Sequence, residues 1–130
     1  MAQHQILPRR FAAVSPIRIT LRSEGVGVAL ASIVLYGQLG GSWAVFTALL
    51  LVPDIVMLGY LAGPRMGAAV YNLGHSYLGP LMLGGIGAVT DGRIALLVAL
   101  IWGAHIGMDR ALGYGLKYPS GFRDTHLGRV

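Results

Sequence analysis

Two histidines and two aspartates carry the chemistry this sequence could do. His105 and Asp109 are four residues apart, so on a helix they share one face, and Arg110 follows directly. His75 and Asp54 stand in two earlier apolar stretches. Imidazole and carboxylate donors suit zinc or ferrous iron, and three protein ligands leave a position open for water or substrate. The expected set is Asp54, His75 and His105 around one divalent metal, zinc or iron. Asp109 would orient His105 as an acceptor or add a further ligand. A bound water acidified by the ion would lose its proton to Asp109 or Glu24. Asn72, three residues before His75, shares its face and would hold a water, and Tyr60 and Tyr71 would donate hydrogen bonds nearby. No HExxH or ExxH pattern is present, so the zincin and di-iron templates are not matched. No serine has a histidine at a recognisable spacing, which argues against a serine hydrolase.

The elements that must position these groups are apolar. The chain has 130 residues, enough for one domain, of which 55% are hydrophobic and 12% charged. Soluble domains average about 25% charged residues, so lipid is the expected solvent. Cysteine is absent, which excludes disulfides and thiolate sites. The formal charge of +5 lies in the two tails and one tight turn rather than on a folded basic face, so membrane topology explains it and nucleic acid is not an expected partner. No GxGxxG or P-loop follows a strand, which excludes the common nucleotide folds.

The pattern predicts an all-α bundle of four transmembrane helices. A basic N-terminal tail covers 1–23. Within it 17–23 would lie along the interface, His4 would be idle, and no signal peptide is expected. The transmembrane domain covers 24–112, with spans at about 24–39, 43–62, 66–89 and 94–112. Trp43 reads as an interfacial anchor and Trp102 as a packed aromatic. Pro53 should kink the second span, because it cannot donate to the carbonyl of Leu49. A basic aromatic tail covers 113–130, where His126 reads as a solvated tail histidine. Asp91 and Arg93 read as turn residues. Arg110 would snorkel or pair with Glu24.

Four spans put nine of the ten basic residues on one side and Arg93 alone on the other. The positive-inside rule then makes both termini cytoplasmic. Counted at 1.5 Å per residue from that side, Asp54, His75 and His105 all lie roughly 12–14 Å deep, and Asn72 and Asp109 about one turn nearer the cytoplasm. Small residues recur every fourth position at Ala99, Gly103, Gly107 and Ala111, and again at Gly59, Gly63 and Gly67. Such stripes allow close helix packing and would serve a homo-oligomer.

The stretches Leu21–Gly25, Pro53-Asp54 through Tyr60, Gly67–His75, Trp102–Tyr118 and Thr125–Gly128 together resemble a small bacterial integral membrane family catalogued as a domain of unknown function. The resemblance implies a four-span protein of the bacterial inner membrane. It places motif positions at Glu24, Asp54, Asn72, His75, His105, Asp109 and Arg110. A looser similarity, in residue types only, is to small membrane proteins described as metal-dependent hydrolases. The function expected from all this is a metal-dependent hydrolase acting on an amphiphilic small-molecule substrate at the bilayer surface. The same residues also permit a non-catalytic bundle held by a buried polar network, or proton and small-solute handling.

Overall fold

The computed structural model describes residues 14–130, so His4, Arg9 and Arg10 lie outside the described residues. The described residues are mostly helical, with α1 at Pro16–Gln38, α2 at Trp43–Leu49, a 3-10 helix at Val52–Ala62, α3 at Pro64–His75, α4 at Leu78–Val89, α5 at Arg93–Leu112 and a short α6 at His126–Arg129. No strand occurs among the described residues; Lys117 and Thr125 form one isolated bridge. Three stretches, Pro16–Gln38, Trp43–Ala62 and Arg93–Leu112, are long and apolar enough to cross a membrane. The outside of the molecule agrees with them. Leu61 is 88% exposed, Val89 84% and Leu73 75%, a surface suited to lipid rather than water.

Two departures from the expected spans set up the site. The second stretch does not simply kink at Pro53. Its backbone tightens into a 3-10 ladder, with the Asp54 N–H donating to Leu51 (3.1 Å) and the Gly63 N–H to Tyr60 (3.1 Å). Eleven residues is long for this geometry, which rises about 2.0 Å per residue. The tighter rise has a consequence for depth. Asp54 stands eight residues from Ala62, about 16 Å at the 3-10 rise, and His75 eleven residues from Pro64, also about 16 Å at the α rise. The two arms of the Gly63 hairpin therefore bring an aspartate and a histidine to one level. Gly63 makes that hairpin with φ +106°, a left-handed conformation that favours glycine.

The third stretch is not one helix. It breaks at Ser76, whose backbone is extended (φ −91°, ψ 149°). Pro80 supplies the reason, because it has no N–H to give the carbonyl of Ser76 and fits only in the first turn of a new helix. The carbonyls freed at the break find other donors. Trp102 Nε1 donates to Gly74 (2.6 Å), and Arg110 Nη2 donates to His75 (2.8 Å). Arg110 also donates to the Tyr114 carbonyl (3.0 Å), and among the described ion pairs it has none with Glu24, which corrects the expected pairing.

α5 is the central post, packed against α1 on one side and α4 on another. The α1–α5 contact runs backbone to backbone, through the expected stripe. A Cβ on Gly107 would stand 2.7 Å from both the Ala29 nitrogen and the Gly25 oxygen. Neither atom can move aside, so Gly107→Val should lower stability by about 1–3 kcal/mol or more, read as a fall in Tm in detergent. Gly27→Ala, where nothing lies within 4 Å, should leave Tm unchanged. α1 begins at Pro16, so 17–23 belong to this helix and not to a separate interfacial turn.

The contacts also sort the turns. Arg18 donates to the Val130 carbonyl, Arg22 to Ala111 (2.8 Å), and the Tyr60 and Phe122 rings meet edge to face at 5.2 Å. The start of α1, the Gly63 hairpin and the C-terminal segment therefore share one end. At the other, Arg93 donates to Leu39 (2.8 Å) and Gly40 (2.9 Å), so it is a clamp between two turns rather than a bare turn residue. Trp43 packs on Tyr36 and Phe46 at that end while staying half exposed.

Candidate metal centre

Four donor atoms from three elements converge. His75 Nε2 and His105 Nε2 are 3.1 Å apart, and Asp54 Oδ1 lies 3.2 Å from each. Asp109 Oδ2 lies 3.5 Å from His75 Nε2 and 3.4 Å from His105 Nε2. All four atoms fall within 4.8 Å of one another, and a group of this composition could hold a metal ion. A tetrahedral zinc centre with bonds of about 2.0–2.1 Å has ligand-to-ligand edges of roughly 3.3–3.4 Å. Five of the six edges scatter around that value, and the sixth, between the Asp54 and Asp109 carboxylates, lies within 4.8 Å.

The supporting contacts orient the rings. His75 Nδ1 donates to the Tyr71 carbonyl (3.0 Å), one turn back on the same helix, which leaves the Nε2 lone pair facing the other donors. Its ring is fully buried and stacks on Tyr71, with centroids 3.9 Å apart and planes 7° from parallel. His105 is buried on the α5 core face with the Leu50 backbone beside its ring. Asp109 is one turn further along α5, where the i, i+4 spacing aims it at the same point. The carboxylates of Asp54 and Asp109 are the more exposed half of the set. They line a cavity of about 650 Å³ whose wall is otherwise built by Met57, Tyr71 and the C-terminal segment; neither His75 nor His105 lines it.

That segment is a fitted cap rather than a loose tail. Asn72 holds it at two points. Its Nδ2 donates to the Lys117 carbonyl (2.8 Å), and its Oδ1 accepts from the Lys117 N–H (2.7 Å). The Lys117 ammonium donates to the Phe122 carbonyl (2.7 Å) and lies 3.6 Å from the Phe122 ring centre and 4.5 Å from that of Tyr71. Burial pushes Lys117 below its usual range, against the opposing pull of Asp109. Asp124 is held down to about 2 by Arg129 and Ser120, which donate to it.

His126 is not a solvated tail histidine. Its Nδ1 accepts the Leu116 N–H (2.8 Å), a bond that needs the unprotonated nitrogen. Burial first, then the Arg110 charge, lowers its pKa from the usual 6.5. A folded pKa below the unfolded one means that the contribution to stability is complete above pH 6.5 and is lost as pH falls through the folded value. Limited proteolysis should therefore cut the C-terminal segment faster at pH 5 than at pH 7.5. His126→Ala should remove the difference while leaving the Leu116 N–H unpaired.

Of the residues expected from sequence, Asp54, His75 and His105 meet as a set, and Asp109 joins them directly. Asn72 binds the cap's backbone and is not among the converging donors. Glu24 is exposed on α1 and is likewise outside the group. Lys117, Trp102 and Arg110 as supports of this site carry no spacing signal, because each acts through a backbone carbonyl or a ring brought near only by folding.

The comparisons with known proteins are sparse. A family model described as "Domain of unknown function (DUF4260)" matches residues 18–130. No curated protein and no solved structure matches.

Proposed function

We propose a function for a chain that belongs to the DUF4260 family, a domain of unknown function: it is a membrane-embedded, metal-dependent hydrolase whose ion is held by Asp54, His75, His105 and Asp109. The observation that carries this reading is the spacing of the donors, five edges of 3.1–3.5 Å around one point. A proton on His105 Nε2 would join one pair of these donors, whereas a divalent ion at their centre would serve all four at once. Zinc or ferrous iron suits the donor set. A water joining the ion would enter between the carboxylates, which line the cavity, and the ion would bring its pKa toward neutrality. Asp54 or Asp109, the donors on that side, would take the proton.

The topology proposed with it has four crossings. The shared end of α1 and the C-terminal segment favours an even number, with α3 and α4 together crossing as one broken span. A broken helix at that depth is tolerated because Trp102 and Arg110 satisfy its carbonyls. Arg18, Arg22, Arg65, Arg110, Lys117, Arg123 and Arg129 fall at the hairpin-and-cap end and Arg93 at the other, which favours both termini in the cytoplasm of a bacterial inner membrane protein.

The test is elemental analysis of detergent-purified full-length protein beside a His75→Ala/His105→Ala variant. About one equivalent of zinc or iron in the parent and none in the variant is expected. Metal-free parent after reconstitution with zinc and with ferrous iron defeats the proposal. A second reading has its own support. Four protein donors can close a tetrahedron, as structural sites do. It predicts that stripping the ion lowers Tm, with no esterase or phosphatase activity in the loaded protein.

A further inference from the structure

Two cavities meet at Asp54. The first is the capped one of about 650 Å³, whose charged lining is Lys117 and Arg123 against Asp54 and Asp109. Formally that lining is neutral. With a divalent ion on the two carboxylates it becomes +2. The Lys117 ammonium uses one of its three donors on Phe122, which leaves two for a ligand.

The second cavity, about 530 Å³, lies along the 3-10 helix and contains Asp54 as its only charged group. Its other walls are apolar and face outward: Leu51 is 67% exposed, Ile55 60%, Leu58 65% and Leu61 88%. These residues belong to Trp43–Ala62, the most apolar of the three candidate spans. This cleft therefore opens toward lipid. Tyr60 lines it as well, and its buried hydroxyl has no hydrogen-bond partner among the described residues.

We propose that the centre takes a membrane amphiphile with an oxyanion headgroup, the headgroup seated by Lys117 and Arg123 in the capped cavity and the acyl chain leaving past Asp54 into the lipid-facing cleft. This rests on the metal reading, because the ion supplies the excess positive charge. Charge complementarity selects the headgroup, and the apolar cleft selects a chain rather than a soluble anion.

The test uses the full-length, zinc-loaded protein in detergent, with zinc content measured on the same sample. Ligands that bind the folded state raise Tm by mass action. Dioleoyl phosphatidate should raise Tm in a saturable way, while dioleoylglycerol and inorganic phosphate should not. Arg123→Gln, an exposed position that should not disturb folding, should weaken phosphatidate binding several-fold, and Lys117→Gln should weaken it further. An equal shift with dioleoylglycerol removes the headgroup half of the proposal, and an equal shift with inorganic phosphate removes the tail half. No shift in a sample holding one equivalent of zinc overturns the substrate class and leaves the metal centre standing. A sample that never holds zinc or iron overturns both.

Discussion

Alanine in place of His75 should abolish stoichiometric metal binding. His75 is fully buried, and its Nε2 forms three of the five short edges of the donor group. Losing a ligand differs in size from losing a supporting contact, which costs about 10–100-fold in metal affinity. His75→Ala and His105→Ala should exceed that range. Asp109→Asn decides between the two roles open to Asp109 from sequence. As a direct donor, which the 3.4–3.5 Å distances favour, it should lower affinity beyond 100-fold. As an orienting acceptor it should stay within that range. Asn72→Ala should leave metal content unchanged, because Asn72 binds the cap. Competition against a zinc chelator reads all four variants on one scale. Cobalt(II) offers a second readout: an intense tetrahedral spectrum in the parent favours the closed structural site, a weaker five-coordinate one favours a centre that admits water, and Asp109→Asn should alter either. Where free zinc is 1,000 times the dissociation constant, the bound ion adds about 4 kcal/mol of stability, so the apo and holo parent should differ widely in Tm and the His75 variant not at all.

The second large effect belongs to Arg110. It is buried, and it donates to the carbonyls of His75 and Tyr114 at once. One bond closes the break after α3; the other anchors the chain where it leaves α5 for the cap. Hydrogen bonds from a charged group contribute about 1.5–3 kcal/mol each, so Arg110→Leu should cost roughly 3–6 kcal/mol, enough to prevent accumulation in the membrane or to lower Tm steeply. Arg110→Lys should not restore the loss, because a single ammonium lacks the planar fork that spans two carbonyls. If Arg110→Leu is as stable as the parent, the His75 carbonyl has another donor and the break does not depend on this side chain.

The residues that converge were legible in the chain because ionisable groups are rare in apolar stretches, and each one therefore stands out. Helix periodicity was enough to pair His105 with Asp109, and a count of depth was enough to bring Asp54 and His75 level with His105, though it left Asp109 one turn nearer the cytoplasm. The count worked for a reason it did not contain. Asp54 reaches that level on a 3-10 rise and His75 on an α helix that starts at Pro64, so two departures from the assumed geometry cancel. Glu24 and Asn72 carried the same kind of signal, and the structure puts them elsewhere. A polar side chain near a pocket in sequence can be spent on backbone, as Asn72 is on Lys117.

Composition and periodicity by themselves determined that this chain is helical, that its solvent is lipid, and that small residues let α1 approach α5, since each of these follows from properties summed over many residues. Only the tertiary structure decided where the third stretch breaks, which carbonyls Trp102 and Arg110 repair, that the C-terminal segment caps the carboxylates, and that Asp109 stands with the other three donors. Those outcomes depend on contacts between residues far apart in the chain, such as Asn72 with Lys117 and His75 with Arg110. No local pattern encodes such contacts, because the free energy that fixes them appears only when the helices have packed and a freed backbone group in an apolar surrounding must find its partner.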